Sequence, residues 1–324
     1  MKKVLVLVLI VALLASLWVC VPAALSANNE PIRITLVLPM SANEVWKACA
    51  DGFEAACAAL GVEGNVVAPA TNNDVNLMNA LVETAIAEGV DGVITQGINP
   101  EAQVPVCKKL DEAGITYCFV NSDASDTNRL AFIGTGDQLG IVGGKTVVDK
   151  IGSQKIVFAT GIWDLTAPIG ISLHNAYLSE LQKAPGGFEE VVVIHTAADQ
   201  LVATQEWTNA FNTYPEINAG MNIDGFGGLG AARAMKELGK QPGDAMIIGI
   251  DDVPETLDAI RDGWLYGTMT QNFFRMGYEP VGWIKDFITN GTRPAQEVND
   301  SGTMLVTKEN IETYAVDMRD PTKW

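Results

Sequence analysis

Apolar and polar positions along this chain alternate between two rhythms. Short runs rich in Val, Ile and Leu predict strands at 32–38, 65–69, 90–95, 115–120, 155–160, 190–195, 219–223, 245–252 and 268–270, with a last extended piece at 303–306. Between them, apolar residues recur at helical spacing over 44–60, 75–87, 100–113, 138–151, 171–183, 201–214, 229–238, 256–262 and 276–290. Gly61, Gly89 and Gly114 stop the first three helices, and Asn72-Asn73-Asp74 caps the second. Apolar strands joined to helices by short turns imply doubly wound parallel sheets with helices on both faces. After Phe132-Ile133-Gly134-Thr135-Gly136 the series starts again, so two similar α/β halves are expected, with a cleft between them.

The strand at 245–252 ends on two carboxylates and is followed by Val253-Pro254-Glu255 and a helix. In open α/β sheets ligands bind beyond the carboxyl ends of the strands, which makes Asp251 the first candidate for a site. Its carboxylate can accept hydrogen bonds from a polyhydroxylated solute, each worth about 1.5 to 3 kcal/mol. Asp252 is expected to cap the helix that follows.

Length and charge narrow the class. With 324 residues and 48% hydrophobic content, the chain can bury a large core, and its length favours two domains. A formal charge of -18 repels phosphate backbones, which excludes nucleic acid as a partner. Lys2-Lys3, an uncharged apolar run to Val21 and small residues up to Ala27 have the layout of an export signal spanning 1–26. Cys49 and Cys57 lie eight apart on one expected helix, roughly 12 Å along its axis, too far to bridge each other. Together with Cys107 and Cys118 they read as buried thiols. No Cys/His spacing suggests a metal, and no nucleophile, base and acid pattern suggests an enzyme.

The chain resembles the ribose-type periplasmic sugar-binding proteins, the type I solute receptors of bacterial ABC importers. The resemblance runs from about Ile32 to Tyr314. It is carried by Met40-Ser41-Ala42-Asn43-Glu44-Val45-Trp46, by Thr71-Asn72-Asn73-Asp74, and by Gly89-Val90-Asp91-Gly92-Val93-Ile94 with Asn99-Pro100-Glu101. It continues through Ile248-Gly249-Ile250-Asp251-Asp252-Val253-Pro254-Glu255, Gly267-Thr268-Met269-Thr270-Gln271 and Val306-Thr307-Lys308-Glu309-Asn310. This resemblance implies two doubly wound lobes joined by a three-strand hinge, with crossings near 134–137, 270–272 and 300–303. One lobe would comprise 31–135 plus 272–300, the other 136–271 plus 301–324. It implies a monomer in the periplasm that closes on a sugar, polyol or other small polar solute and delivers it to an ABC permease in the inner membrane. No cofactor is implied. The implied contacts are Asn43 and Trp46 in the first loop, Asn121 after the fourth strand, Asp224 at a helix start, Asp251, and Gln271 in the hinge. Trp163, just past a strand end, joins them because an indole can cover the C–H face of a sugar.

Two departures point away from ribose itself. Where the family often has an Asp-Arg pair, this chain has Asn121-Ser122, and 166–172 carries none of the arginines of the family's second lobe. A pocket without guanidinium forks suits another sugar, a shorter polyol or a cationic solute. A rival signal is Gly225-Phe226-Gly227-Gly228-Leu229-Gly230, a literal GxGxxG followed by Asp251. The strand before it contains Asn218, Gly220 and Asn222 and the motif falls deep in the second half, so a NAD-dependent oxidoreductase ranks well below a receptor. A receptor that signals to a membrane chemoreceptor or sensor kinase is the closer alternative. A LacI-like repressor would need a helix-turn-helix where this chain has its leader.

Overall fold

Strands and helices alternate through the computed structural model, which describes residues 30–40, 44–166 and 168–324. The expected leader and the candidate Asn43 lie outside the described residues. In chain order the first series is β1 (Arg33–Val37), α1 (Glu44–Leu60), β2 (Glu63–Val67), α2 (Val75–Glu88), β3 (Gly92–Thr95), α3 (Pro100–Ala113), β4 (Thr116–Val120) and β5 (Ala131–Gly134). The second is α4 (Gln138–Ile151), β6 (Ile156–Ile162), α5 (Pro168–Leu181), β7 (Phe188–His195), α6 (Gln200–Thr213), β8 (Ala219–Asn222), α7 (Gly227–Glu237), β9 (Met246–Ile250), α8 (Pro254–Asp262) and β10 (Gly267–Gln271). The chain then runs through α9 (Phe273–Asn290), β11 (Val298–Asp300), β12 (Thr303–Thr307) and α10 (Tyr314–Met318).

Two six-stranded sheets result, ordered β2-β1-β3-β4-β5-β11 and β7-β6-β8-β9-β10-β12. All pairs are parallel except β10 with β12. Because β5 and β11 lie in the first sheet and β6, β10 and β12 in the second, the chain passes from one to the other three times. The crossings are tied side by side: Ser301 donates its N–H to the Gly134 carbonyl and Asn272 to that of Gly302.

The strand pleat sends alternate residues to opposite helix layers. In the first sheet Ile34, Leu36, Ile94 and Val120 pack with Phe53 of α1 and Met276 and Ile284 of α9. Val93, Tyr117 and Phe119 face the other way, onto Met78 and Val82 of α2 and Val106 and Leu110 of α3. The second sheet is layered likewise, with Ile156, Phe158 and Ile248 against Tyr177 and Leu181 of α5, and Ala159 and Ile247 against Trp207, Phe211 and Met235. Each large side chain so buried contributes about 1.5 to 3 kcal/mol. Close helix approach at Gly277 completes the first lobe, since a Cβ there would lie 1.9 Å from the Cys49 carbonyl oxygen.

Several expectations shift. The strand expected at 245–252 spans only Met246–Ile250, leaving Asp251 and Asp252 beyond its tip. Asp252 does not cap α8: Val253 holds that position without a side-chain bond, and Asp252 Oδ2 accepts from the Tyr314 hydroxyl at 2.8 Å. Helix α9 starts earlier than its apolar pattern indicates, because Asn272 accepts from the Arg275 N–H and caps it. Strand β11 has no apolar rhythm to announce it, with Val298 57% exposed, and is recruited by pairing with β5. The four described cysteines are free and buried, and desolvation pushes Cys49 and Cys118 up to about 12, which makes them inert packing groups.

Candidate functional site

Both sheets share one strand order, with the first strand of each between the second and the third. The crevice beyond the carboxyl ends of the strands, at the point where winding reverses, is where such sheets bind ligands. In the first sheet this lies between β1 and β3, and Gln96 is the first residue past β3. In the second it lies between β6 and β8, where Trp163 follows β6 and Asp224 stands two residues past β8.

Asn121 and Asp251 follow the fourth strand of each sheet, and both have left-handed backbones, with φ 62° and 64°. Asn and Asp tolerate this region better than other residues with a Cβ. Each N–H bonds to the next strand, Asn121 to the Ile133 carbonyl and Asp251 to that of Met269, both at 2.9 Å.

A polar chain joins these positions across the hinge. Gln96 Nε2 donates to Asn121 Oδ1 at 2.7 Å, and Asn121 Nδ2 donates to Gln271 Oε1 at 3.0 Å. The Thr135 hydroxyl donates to the same Gln271 oxygen at 3.0 Å. Asp251 is anchored through its backbone, whose carbonyl accepts from the Thr268 hydroxyl at 2.7 Å. Its Oδ1 is shielded from solvent and has no partner, and neither has the buried Gln96 Oε1. Desolvation and the neighbouring Asp252 push the Asp251 carboxyl up to about 7; Gln271 pulls the other way and Asp224 adds to the rise.

The remaining candidates are placed differently. Asp224 is buried and its oxygens are used within the protein: Oδ1 accepts from the N–H groups of Phe226 and Gly227, and Oδ2 from the Thr196 hydroxyl. Trp46 is 6% exposed and packs edge-to-face on Phe273, with ring centroids 5.1 Å apart, inside the core of the first lobe. Trp163 is partly buried against the first turn of α5, where a Cβ on Gly170 would lie 3.2 Å from its ring. Asn121, Gln271 and Asp251 are therefore brought together with Asp224 nearby, while Trp46 packs on Phe273 in the core cluster of the first lobe. Gln96 went unremarked in the sequence, since a lone neutral amide carries no pattern; its place directly after a strand was the available signal.

The glycines of the GxGxxG stretch have packing roles. A Cβ on Gly227 would lie 2.6 Å from Asn222 Oδ1, and one on Gly230 would lie 2.7 Å from the Ala203 backbone. Asn222 itself accepts from the Trp207 indole N–H at 2.9 Å, which explains a polar residue in a central strand.

Two cavities lie outside the strand-tip crevices. One of 660 Å³ sits at the opposite end of the second sheet, near Lys150, Asn218, Tyr266 and Lys308. Its half-buried amide, Asn218, is bonded to the backbone of Lys155 and Val157. A second, of 230 Å³, adjoins the hinge and is lined by Asp252, Gln271, Phe274, Tyr314 and Arg319.

Paired sheets of one order, three crossings between them and unpartnered acceptors at the strand tips define a two-lobed solute-binding α/β fold. The chain belongs to the periplasmic binding protein domain family, whose pattern matches residues 34–292. It is 22% identical over 284 residues to a D-apiose import binding protein of Paraburkholderia graminis, covering 86% of this chain and 88% of that one. It is 24% identical to a xylitol-binding protein of Mycolicibacterium smegmatis, covering 79% and 72%. A sugar-binding protein of a sugar ABC transporter from Bacillus halodurans shares the fold, with a TM-score of 0.81 at 22% identity, over 87% of this chain and 99% of that one.

Proposed function

We propose that this protein is an extracytoplasmic receptor that captures a sugar or sugar-like polyol between two lobes and delivers it to an ABC importer. Membership of the periplasmic binding family supports the reading, as do the ligands that name its relatives, apiose and xylitol. Residues 31–135 with 272–300 would form one lobe and 136–271 with 301–324 the other. No helix among the described residues is long and apolar enough to cross a membrane, and the apolar segment in 1–26 would act as the export signal.

One observation carries the mechanism: Gln271, in a hinge crossing, accepts from Asn121 of one lobe and lies against Asp251 of the other. A solute that donates to Asp251 Oδ1 and to Gln96 would satisfy acceptors on both sides and stabilise closure. No bond is made or broken, so the role asked of the site is recognition and release. A permease would read the closed form.

A thermal-shift screen of the mature protein against monosaccharides and polyols tests the proposal, because a ligand that binds only the folded state raises the melting temperature. The expected result is a saturable rise with one or a few sugars and no consumption of the compound. Turnover of the bound solute would overturn it.

A further inference from the structure

Two of the unpartnered groups at the strand tips, Asp251 Oδ1 and Gln96 Oε1, can only accept, whereas the Thr95 hydroxyl can donate or accept. Asp251 Oδ1 and Gln96 Oε1 are both shielded from solvent, and Gln96 is only 9% exposed. Each has lost its water without gaining a donor, which costs about 1 to 3 kcal/mol for a neutral group and more for a charged one. An occupant that satisfies these two oxygens brings donors.

Charge narrows its chemistry. Asp251 has carboxylates on two sides, Asp252 next to it in the chain and Asp224 at the tip of β8, and both raise the cost of its charge. Those neighbours are met by neutral donors, a tyrosine hydroxyl for Asp252 and two backbone N–H groups with a threonine hydroxyl for Asp224. Neutral groups also meet Asp251, the Gln271 amide at its side chain and the Thr268 hydroxyl at its carbonyl. Arg129 and Arg319 are paired with other carboxylates. Arg129 forks onto Asp123 and also pairs with Glu297, and Arg319, which lines the adjoining cavity, lies 3.7 Å from Asp51. A partly buried carboxylate with one oxygen shielded from solvent and two other carboxylates beside it is a costly arrangement.

We propose that the solute carries a protonated amine, as an amino sugar or amino polyol does, and that its ammonium group is received by the unpartnered oxygen of Asp251. An ammonium group has three donors and no acceptor, so it matches the open oxygens of Asp251 and Gln96, and it supplies a compensating charge. The inference rests on the sugar-receptor reading and deepens it. With the Asp251 carboxyl raised to about 7, the cation would bind the ionised form and displace the proton.

Isothermal titration with matched pairs, glucamine against sorbitol and glucosamine against glucose, within a wider panel of sugars and polyols, tests this. The expected result is that an amine binds at least about tenfold tighter than its hydroxyl counterpart near pH 7.5. Glucamine, whose amine stays protonated throughout, should lose about tenfold between pH 8 and pH 6 as Asp251 takes up its proton. Asp251→Asn, which keeps the left-handed backbone, should remove both the preference and the pH dependence. Equal or tighter binding of the neutral partners overturns the ammonium inference and leaves the receptor reading standing. Silence from the whole panel, in a protein that melts cooperatively, overturns both.

Discussion

Asn121 and Asp251 hold the same station in the two halves of the molecule. Each directly follows the fourth strand of its sheet, each has a left-handed backbone, and each N–H is taken by the neighbouring strand. Their side chains have opposite fates. The Asn121 amide is used at both ends, accepting from Gln96 and donating to Gln271, whereas Asp251 keeps a shielded oxygen with nothing to bond. The same backbone position thus carries an amide hydrogen-bonded at both ends in one lobe and a carboxylate with one unpartnered oxygen in the other. The difference is set by what surrounds it: two neutral amides around Asn121, two further carboxylates around Asp251.

The largest effect expected from breaking this comparison is on binding. Asp251→Ala should weaken a ligand found by the thermal-shift screen by at least ~100-fold, about 3 kcal/mol, and Asn121→Ala by only ~10-fold, because the latter removes a tie and leaves the main acceptor in place. Titration calorimetry on both variants measures the ratio, and equal losses would mean the two stations share one role.

Stability against pH is next in size. With its carboxyl raised to about 7 from the usual 3.8, Asp251 keeps a proton in the folded protein that the unfolded chain sheds. Its contribution therefore declines as pH rises from ~4 to ~7. Asn stays neutral throughout, so Asp251→Asn should gain on the parent over that window, reaching on the order of 2 kcal/mol above pH ~7 after allowance for partial solvent screening, with no gain near pH 4. Urea unfolding at the two extremes gives the difference.

Asn121→Asp reverses the experiment by placing a carboxylate where Gln271 presents its oxygen. Two acceptors would then face each other, at a cost of about 1.5 kcal/mol in chemical denaturation at neutral pH. The smallest effect concerns a strap between the halves. Tyr314 packs in the core of the second lobe, while Trp324 lies on Phe274 and Tyr278 of α9 with the Arg275 guanidinium 5.5 Å from its ring centre. Trp324→Ala should lower stability by about 1 kcal/mol, and a larger loss would show that the strap does more than pack.

Much of this molecule is legible in its sequence because burial leaves a periodic trace. Apolar strands such as 90–95 and 115–120, the Asp74 cap and the glycine stops at Gly89 and Gly114 are local instructions, and each element stands within a few residues of where they put it. Asp251 could be singled out for the same reason, as a carboxylate at the end of an apolar run. Asp252 shows the limit of such reasoning. Its neighbours in sequence make it a cap, but its partner, Tyr314, is 62 positions away.

By itself the sequence determined the repeated βα rhythm, the doubling into two halves, the excess of negative charge and the resemblance to a sugar receptor. These depend on composition and on residues near one another along the chain. Tertiary structure decided which polar groups are satisfied. It placed Gln96, Asn121 and Gln271 in one chain of hydrogen bonds, turned Trp46 into the core, gave the GxGxxG glycines to packing and left one oxygen of Asp251 without a partner. Hydrogen-bond partners and local dielectric are properties of neighbours in space, and no pattern along the chain encodes which neighbours those will be.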